Sequence, residues 1–250
     1  MSPQEGRGAR EARAGTRGRK RAARRAVGLS FVAALSALAG MTDAIGFLAA
    51  GQFVSFMSGN TTQLAIALAA GDGRVVALLA ATLCLYVLGN AFGIVALRLL
   101  GGRQPALLTL LALPLATAAL LPGPGGAPLA IFCAVLSMGL VNAAVERIDG
   151  HAFGITYVTG ALSRFGRGLG RRMLGESSRA FVLDLVPFAG MMAGAVAGAA
   201  ASSARGREAL LLPAGLALGL AVASAFIPRG WRRRYVGLPR PRRTKRPPAR

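Results

Sequence analysis

Acidic residues, histidine and cysteine are all scarce in this sequence, and each shortage removes a class of function. There are 9 Asp and Glu against 30 Lys and Arg, with 1 histidine (His151) and 2 cysteines (Cys84 and Cys133). A structural metal site needs several Cys or His ligands at short spacing, and a nucleophilic triad needs a histidine near a hydroxyl or thiol and a carboxylate; CxxC and HExxH are both missing. No metal, no cofactor and no catalytic residue are therefore expected, and the chain is not expected to be an enzyme. Charge is also sparse, at 16% of residues, where an ordinary soluble domain carries about 25%.

What charge there is sits at the ends. Residues 1–25 hold 9 Lys/Arg and residues 228–250 hold 10, while the long segment between them is apolar and rich in the chain's 34 glycines. Mean hydropathy is +0.52. This is the pattern of an integral membrane domain, 26–227, between a basic disordered tail at 1–25 and a basic Pro-rich tail at 228–250, with RGRKRAARR (17–25) and PRPRRTKRPPAR (239–250) too poor in apolar surface to fold. Such tails are expected to face anionic lipid headgroups of the bilayer rather than a specific nucleic acid, since no recognition motif and few aromatics accompany the charge.

Crossing the hydrocarbon core takes about 20 helical residues. Six apolar stretches approach that length, near 27–49, 75–99, 106–121, 127–145, 180–202 and 209–227. Two shorter and more polar stretches, 52–70 and 153–171, lie between them. Shifting the sequence by 101 residues superimposes Val54-Ser55-Phe56-Met57-Ser58-Gly59 on Ile155-Thr156-Tyr157-Val158-Thr159-Gly160. With a four-residue insertion, Arg74 then meets Arg179 and Gly89/Gly93 meets Gly194/Gly198. The expected organisation is all-α: a polytopic bundle of two repeats of about 100 residues, 26–126 and 127–227, each with three spans and one short polar segment. The competing account is that both motifs are Gly/Ser/Thr packing patches in an alanine-rich membrane protein.

These residues carry a resemblance. Asp43-Ala44-Ile45-Gly46-Phe47, the run Phe53 to Thr61 and Thr156-Tyr157-Val158-Thr159-Gly160-Ala161-Leu162 are similar to the YoaK-like family of bacterial inner-membrane proteins over roughly 28–227. The resemblance implies a multi-pass protein of the bacterial inner membrane with no substrate or site to carry over. Phe56 stands where members of that family often have histidine, which removes a titratable group.

Arginine placement orients the chain. If both short segments cross, six loop arginines fall inside and five outside; if both dip in and return, Arg98, Arg103, Arg147, Arg164, Arg167, Arg171, Arg172 and Arg179 fall inside against Arg74, Arg205 and Arg207. The second count favours re-entrant segments, and both arrangements leave both termini in the cytoplasm. Three spans per repeat is an odd number, so the repeats are inverted. The Arg24-Arg25 pair before an apolar run imitates a signal peptide, but the run continues into Asp43 and is expected to remain as the first span.

The candidate site is drawn from the paired motifs and the acid preceding the first: Asp43, Ser55, Ser58, Gly59, Asn60, Thr61, Thr156, Thr159 and Gly160. Hydroxyls and amide can pair non-helical backbone at membrane depth, Ser58 or Thr159 can cap the half-helix that follows, and a half-helix N-terminus suits an anion or polar head. Asp43 can hold a cation or proton, or fix the first motif by accepting its bonds. Asp184 reads as a carboxylate paired near the interface, and Asn90 and Asn142 as bonds between helices. Two functions follow: a transporter-like protein for a small polar or anionic solute or ion, or a non-transporting scaffold that binds lipid or a partner. The oligomeric state is open.

Overall fold

The computed structural model describes residues 3–121, 126–148, 151–176 and 180–235. Nine helices and one small hairpin make up the described residues: α1 (Pro3–Ala50), α2 (Met57–Ala70), α3 (Gly73–Leu99), α4 (Gln104–Leu120), α5 (Ala127–Val141), β1 (Arg147–Ile148) and β2 (His151–Ala152), α6 (Val158–Met173), α7 (Leu185–Arg205), α8 (Leu211–Phe226) and α9 (Arg229–Tyr235). The two-residue ladder departs from the purely helical expectation; it pairs Arg147 with Ala152 and Ile148 with His151.

Local chemistry sets the boundaries. Gly71 ends α2 in the left-handed region at φ 71°, and Asp72 starts α3 by accepting the Val75 N–H at 3.1 Å. Gly101 and Gly206, at φ 63° and 54°, stop the helical runs of α3 and α7. Pro105 sits in the first turn of α4, where its missing N–H costs nothing.

Helical runs at 18–50, 73–99 and 181–226 are long and apolar enough to cross a membrane, the last divided into α7 and α8 by the turn at Gly206–Leu210. The remaining apolar helices α4 and α5, with 17 and 15 residues, extend only about 22–26 Å at 1.5 Å per residue. The expected segments 127–145 and 153–171 are both corrected: α5 stops at Val141, and residues 153–157 are non-helical before α6 begins.

Three helix pairs form the bundle: α1 with α7, α3 with α5, and α4 with α8. The first two depend on glycine. A Cβ on Gly190, Gly194 or Gly198 would collide with the carbonyls of Ala33, Ala37 or Met41, so α7 runs parallel to α1 backbone against backbone. Gly89 and Gly93 in α3 meet Leu136 and Leu140 of α5 in the same parallel sense. Around these pairs, α2 packs on α3, α6 on α7, α4 on α5 and α1 on α8. Exchanging α1–α4 for α5–α8 returns these same pairs, while the contact of α3 with α4 has no counterpart of similar size.

Neither basic flank behaves as an unstructured tail throughout. Residues 17–25, expected to be disordered, continue α1 as helix: alanine and arginine are strong helix formers, and extension from an existing span avoids the nucleation cost. At the other end, Tyr235 of α9 is 1% exposed, donates its hydroxyl to the Arg24 carbonyl at 2.7 Å, and accepts the Glu146 N–H at 2.8 Å. Both flanks thus meet at one end of the bundle, beside the hairpin. The 239–250 stretch lies outside the described residues.

Candidate functional site

Asp43 is 5% exposed and works as a latch for the first motif. Its Oδ1 accepts the N–H groups of Val54 at 2.8 Å and Ser55 at 2.7 Å, and its Oδ2 accepts the Ser55 hydroxyl. Because α1 continues to Ala50, these bonds draw residues 51–55 back along the helix by about 10 Å, seven residues at 1.5 Å each, before α2 departs. Asn60 supports the turn from the other side, donating Nδ2 to the Phe53 carbonyl at 2.7 Å. Of the two roles expected for Asp43, holding the motif is the one the geometry displays.

The second motif is latched by neutral groups. Thr156 Oγ1 donates to Asn142 Oδ1 at 3.3 Å, Asn142 Nδ2 donates to the Tyr86 hydroxyl at 3.0 Å, and the Tyr86 and Thr156 hydroxyls lie 2.8 Å apart. Each group donates once if Tyr86 gives its proton to Thr156, which closes a ring. Ser36 of α1 adds a bond from its hydroxyl to the Ile155 carbonyl at 3.3 Å.

Asn142 bonds another helix as its sequence suggests; Tyr86 and Ser36 were not foreseen, and a further signal tied Asn142 to the motif. Gly40-Met41-Thr42-Asp43-Ala44 aligns with Gly139-Leu140-Val141-Asn142-Ala143 at an offset of 99, two residues short of the motif offset. The same offset relates the helix contacts: a Cβ on Gly40 would strike the Met191 carbonyl, and one on Gly139 would come within 2.7 Å of the Tyr86 carbonyl. Tyr86 and Met191 are themselves 105 apart, as are Gly89 and Gly194.

The capping expectation is corrected. Helices α2 and α6 begin at Met57 and Val158, so Phe56 and Tyr157 occupy the position before the first turn and no side chain caps either helix. Ser58 and Thr159 are the second helical residues and are exposed. At the start of α2 three N–H groups are already spent, Met57 N–H on the Ser55 carbonyl and the Gly59 and Asn60 N–H groups on the Phe56 carbonyl. Gly59 is required because a Cβ there would lie 2.7 Å from one Phe56 ring carbon, and that ring packs edge-on to Phe53 at 5.3 Å. Gly160 faces only the end of Arg164, at 3.6 Å. Thr61 and Thr62 return their hydroxyls to the carbonyls of Met57 and Ser58 in their own helix.

Cavities open at three places relevant to these residues. The first, about 580 Å³, lies between the end of α1, the start of α5 and the turn after α7; Ile45, Val54, Ala130, Ile131 and Ala134 give it apolar walls, and Ser202, Ser203 and Arg207 a polar side. Arg207 also donates Nη2 to the Leu121 carbonyl. The second, about 490 Å³, is apolar apart from Asp43 and lies between α1, the Phe53 and Phe56 rings and Met191 of α7. The third, about 330 Å³, is lined by His151, Arg164, Arg167, Arg171, Glu176 and Asp184. Of the candidate residues only Asp43 lines one of these three spaces; Ser58, Asn60 and Thr159 line none of them.

Asp184 is paired, though its described partners are Arg164 Nε at 2.7 Å and His151 Nε2 at 3.1 Å; Arg179, the partner expected from sequence, lies outside the described residues. Asn90 bonds the Tyr86 carbonyl of its own helix at 2.8 Å rather than another helix. Cys84 and Cys133 are free thiols.

Residues 31–223 match the family model described as "Protein of unknown function (DUF1275)". The chain is 48% identical over 213 residues, 85% of its own length and 93% of the relative's, to the UPF0700 transmembrane protein RA0705 of Rhizobium meliloti (strain 1021). No solved structure matches. With its apolar helices and a transmembrane relative, the molecule is an α-helical membrane protein. Given a match that covers most of its length, the chain belongs to the DUF1275 family.

Proposed function

We propose that this protein is a small-solute carrier of the bacterial inner membrane, built from two inverted repeats, 26–126 and 127–227. In this reading there are six membrane spans, α2 and α6 are re-entrant arms, and both termini are cytoplasmic. The exchange symmetry of the helix contacts supports the duplication, as do the related latches at Asp43/Ser55 and Asn142/Thr156. The parallel pairings α1 with α7 and α3 with α5 are what inversion of a three-span unit requires.

One observation carries the transport reading: the two ends of the molecule differ where the repeats should make them alike. The 580 Å³ cavity is lined by Val54, Ala130, Ile131, Ala134 and Ser202. Their counterparts in the other repeat are Ile155, Phe31, Val32, Leu35 and Leu97, which line none of the three cavities, although Val54, Ala130, Ile131 and Ala134 are themselves at most 8% exposed. A cavity lined by one set of residues and not by its counterparts is the kind of asymmetry expected of alternating access, in which one repeat adopts the other's arrangement. With the termini inside, this state opens outward. Apolar walls with one cation suit a small solute with an apolar body and an anionic or polar head. The paired motifs then act as latches for the arms, and the cavity takes the place of the motifs as the binding site.

The bonds that Asn60, Thr61 and Thr62 make within their own segment favour a second reading, a static scaffold. Cysteine labelling separates the two. In a Cys84→Ser/Cys133→Ser background, Ala134→Cys should react with an impermeant thiol reagent from the outer face and Leu35→Cys from the cytoplasmic face. A bulky adduct at either position should block the other. Position 35 unreactive from both faces, with position 134 reactive, leaves the static scaffold.

A further inference from the structure

The third cavity has a chemistry that transport of a solute through the first does not use. Along α6, Arg164, Arg167 and Arg171 recur at i, i+3 and i+7 and share one face, while Val158, Leu162, Phe165, Leu169 and Met173 share the opposite one. The apolar stripe is uncovered: Leu162 is 40% exposed, Leu169 45% and Met173 81%, and Leu174 just beyond is 85% exposed. A helix with this division places its arginines at headgroup level where the arm meets the interface, with its apolar stripe among acyl chains.

Part of the basic face is built into a recess, with Arg164 half-buried and Arg167 and Arg171 exposed at its rim. Gly168 lets α6 approach Phe181 closely, and the Phe165 and Phe181 rings meet at 5.6 Å, which fixes the helix against the turn at Ala180–Asp184. Asp184, whose side chain is 3% exposed, holds Arg164 Nε and His151 Nε2. That carboxylate orients Arg164, whose Nη2 is nonetheless buried without a hydrogen-bond partner. Arg167 and Arg171 have no bonded partner among the described residues, and Glu176 is the one remaining acid lining the space. An arginine donor held in place with nothing to donate to, beside two further guanidiniums, matches a planar polyanionic acceptor such as a phosphate group.

We infer that the recess formed by His151, Arg164, Arg167 and Arg171 binds the phosphate of an anionic phospholipid headgroup, with the acyl chains lying along the apolar stripe of α6. The inference stands apart from the carrier reading, because it concerns a different cavity and holds for a scaffold as well.

The test uses the purified full chain in a neutral detergent. Its thermal midpoint is followed while short-chain phosphatidylglycerol, short-chain phosphatidylcholine or inorganic phosphate is added. Phosphatidylglycerol should raise the midpoint in a saturable way and the other two should not. In Arg167→Ala/Arg171→Ala the half-saturating concentration should rise by about thirtyfold, taking each basic residue at about 1 kcal/mol. Arg167→Lys/Arg171→Lys should recover part of that loss, which guards against a trivial folding defect. Arg232→Ala/Arg234→Ala, which removes charge from α9 instead, should leave the response unchanged. An equal response to inorganic phosphate would show a free-anion site and overturn the lipid assignment. A response to phosphatidylglycerol that survives loss of both arginines, or no response at all, overturns the site itself.

Discussion

The arms α2 and α6 leave their turns in the same way and then become different objects. Each starts immediately after an aromatic residue, Phe56 or Tyr157, and each is preceded by a hydroxyl held from the first helix of its half. Beyond that point α2 carries no charge and packs along α3, whereas α6 carries Arg164, Arg167, Arg171 and Arg172 and lies against the turn before α7. The turn and its latch recur at matching positions of the proposed repeats, so in that reading they answer to packing common to both halves. The helix after the turn answers to its surroundings, which in the proposals above are hydrocarbon and protein for α2 and an interface with phosphate for α6. A shared entrance does not make a shared site.

The strongest way to test the common frame is to block its close contacts. Gly194→Val and Gly89→Val each place side-chain atoms where a partner backbone already stands, and backbone cannot yield as a side chain does. Each should cost more than about 3 kcal/mol and show as loss of folded protein in size-exclusion and thermal assays. If only one half is sensitive, the frame is not duplicated in energetic terms. Next in size is the carboxyl latch. Asp43→Ala leaves the Val54 N–H, Ser55 N–H and Ser55 hydroxyl without their acceptor in a buried place, an expected loss of roughly 3–5 kcal/mol. Asn142→Ala removes only neutral bonds and should cost distinctly less, so equal losses from the two changes would break the comparison.

Much of the frame was legible because glycine and hydroxyl patterns record contacts that no other residues permit. Gly89/Gly93 and Gly194/Gly198 marked helix faces that pack closely, though not their partners, and the 101-residue offset located both turns. The function of Asp43 in holding the motif was readable as one of two alternatives. Caps at Ser58 and Thr159 were misread, because a small residue after a hydroxyl looks like a helix start when it is clearance for the Phe56 ring. Tyr86 was invisible as a site residue: one aromatic in an apolar span gives no hint that its hydroxyl reaches another helix. The helical state of 17–25 was missed because composition reports what a segment can bury, whereas here the helix is extended from a neighbouring span. The cavities were beyond reach, since they depend on which of two equivalent regions is packed.

Smaller effects sharpen the contrast between the latches. Tyr86→Phe and Thr156→Val each remove one hydroxyl from the closed ring and should cost about 1 kcal/mol, with the double variant costing less than the sum because the ring is already open. Met191 stands where the other half has Tyr86, beside the Asp43 cavity. Met191→Tyr in an Asp43→Asn background therefore imports the neutral latch into the first half. It should restore about 1 kcal/mol to that variant in thermal unfolding and nothing to the parent protein. Equal effects in both backgrounds would mean that the tyrosine adds only apolar contact.

The smallest expected effect is also the one that most directly separates latch from binding site. Ser58→Ala and Thr159→Ala remove exposed hydroxyls that cap nothing, and each should change stability by less than about 0.5 kcal/mol. As single cysteines in the thiol-free background, position 58 should label from the outer face and position 159 from the cytoplasmic face, because the two arms enter from opposite sides in the proposed topology. Once a transported solute is in hand, neither alanine variant should alter its apparent affinity, while Ser202→Ala and Ile131→Ala in the large cavity should. A change of affinity at Ser58 with none at Ser202 would return the site to the paired motifs. The asymmetry between the two ends would then be a feature of packing alone.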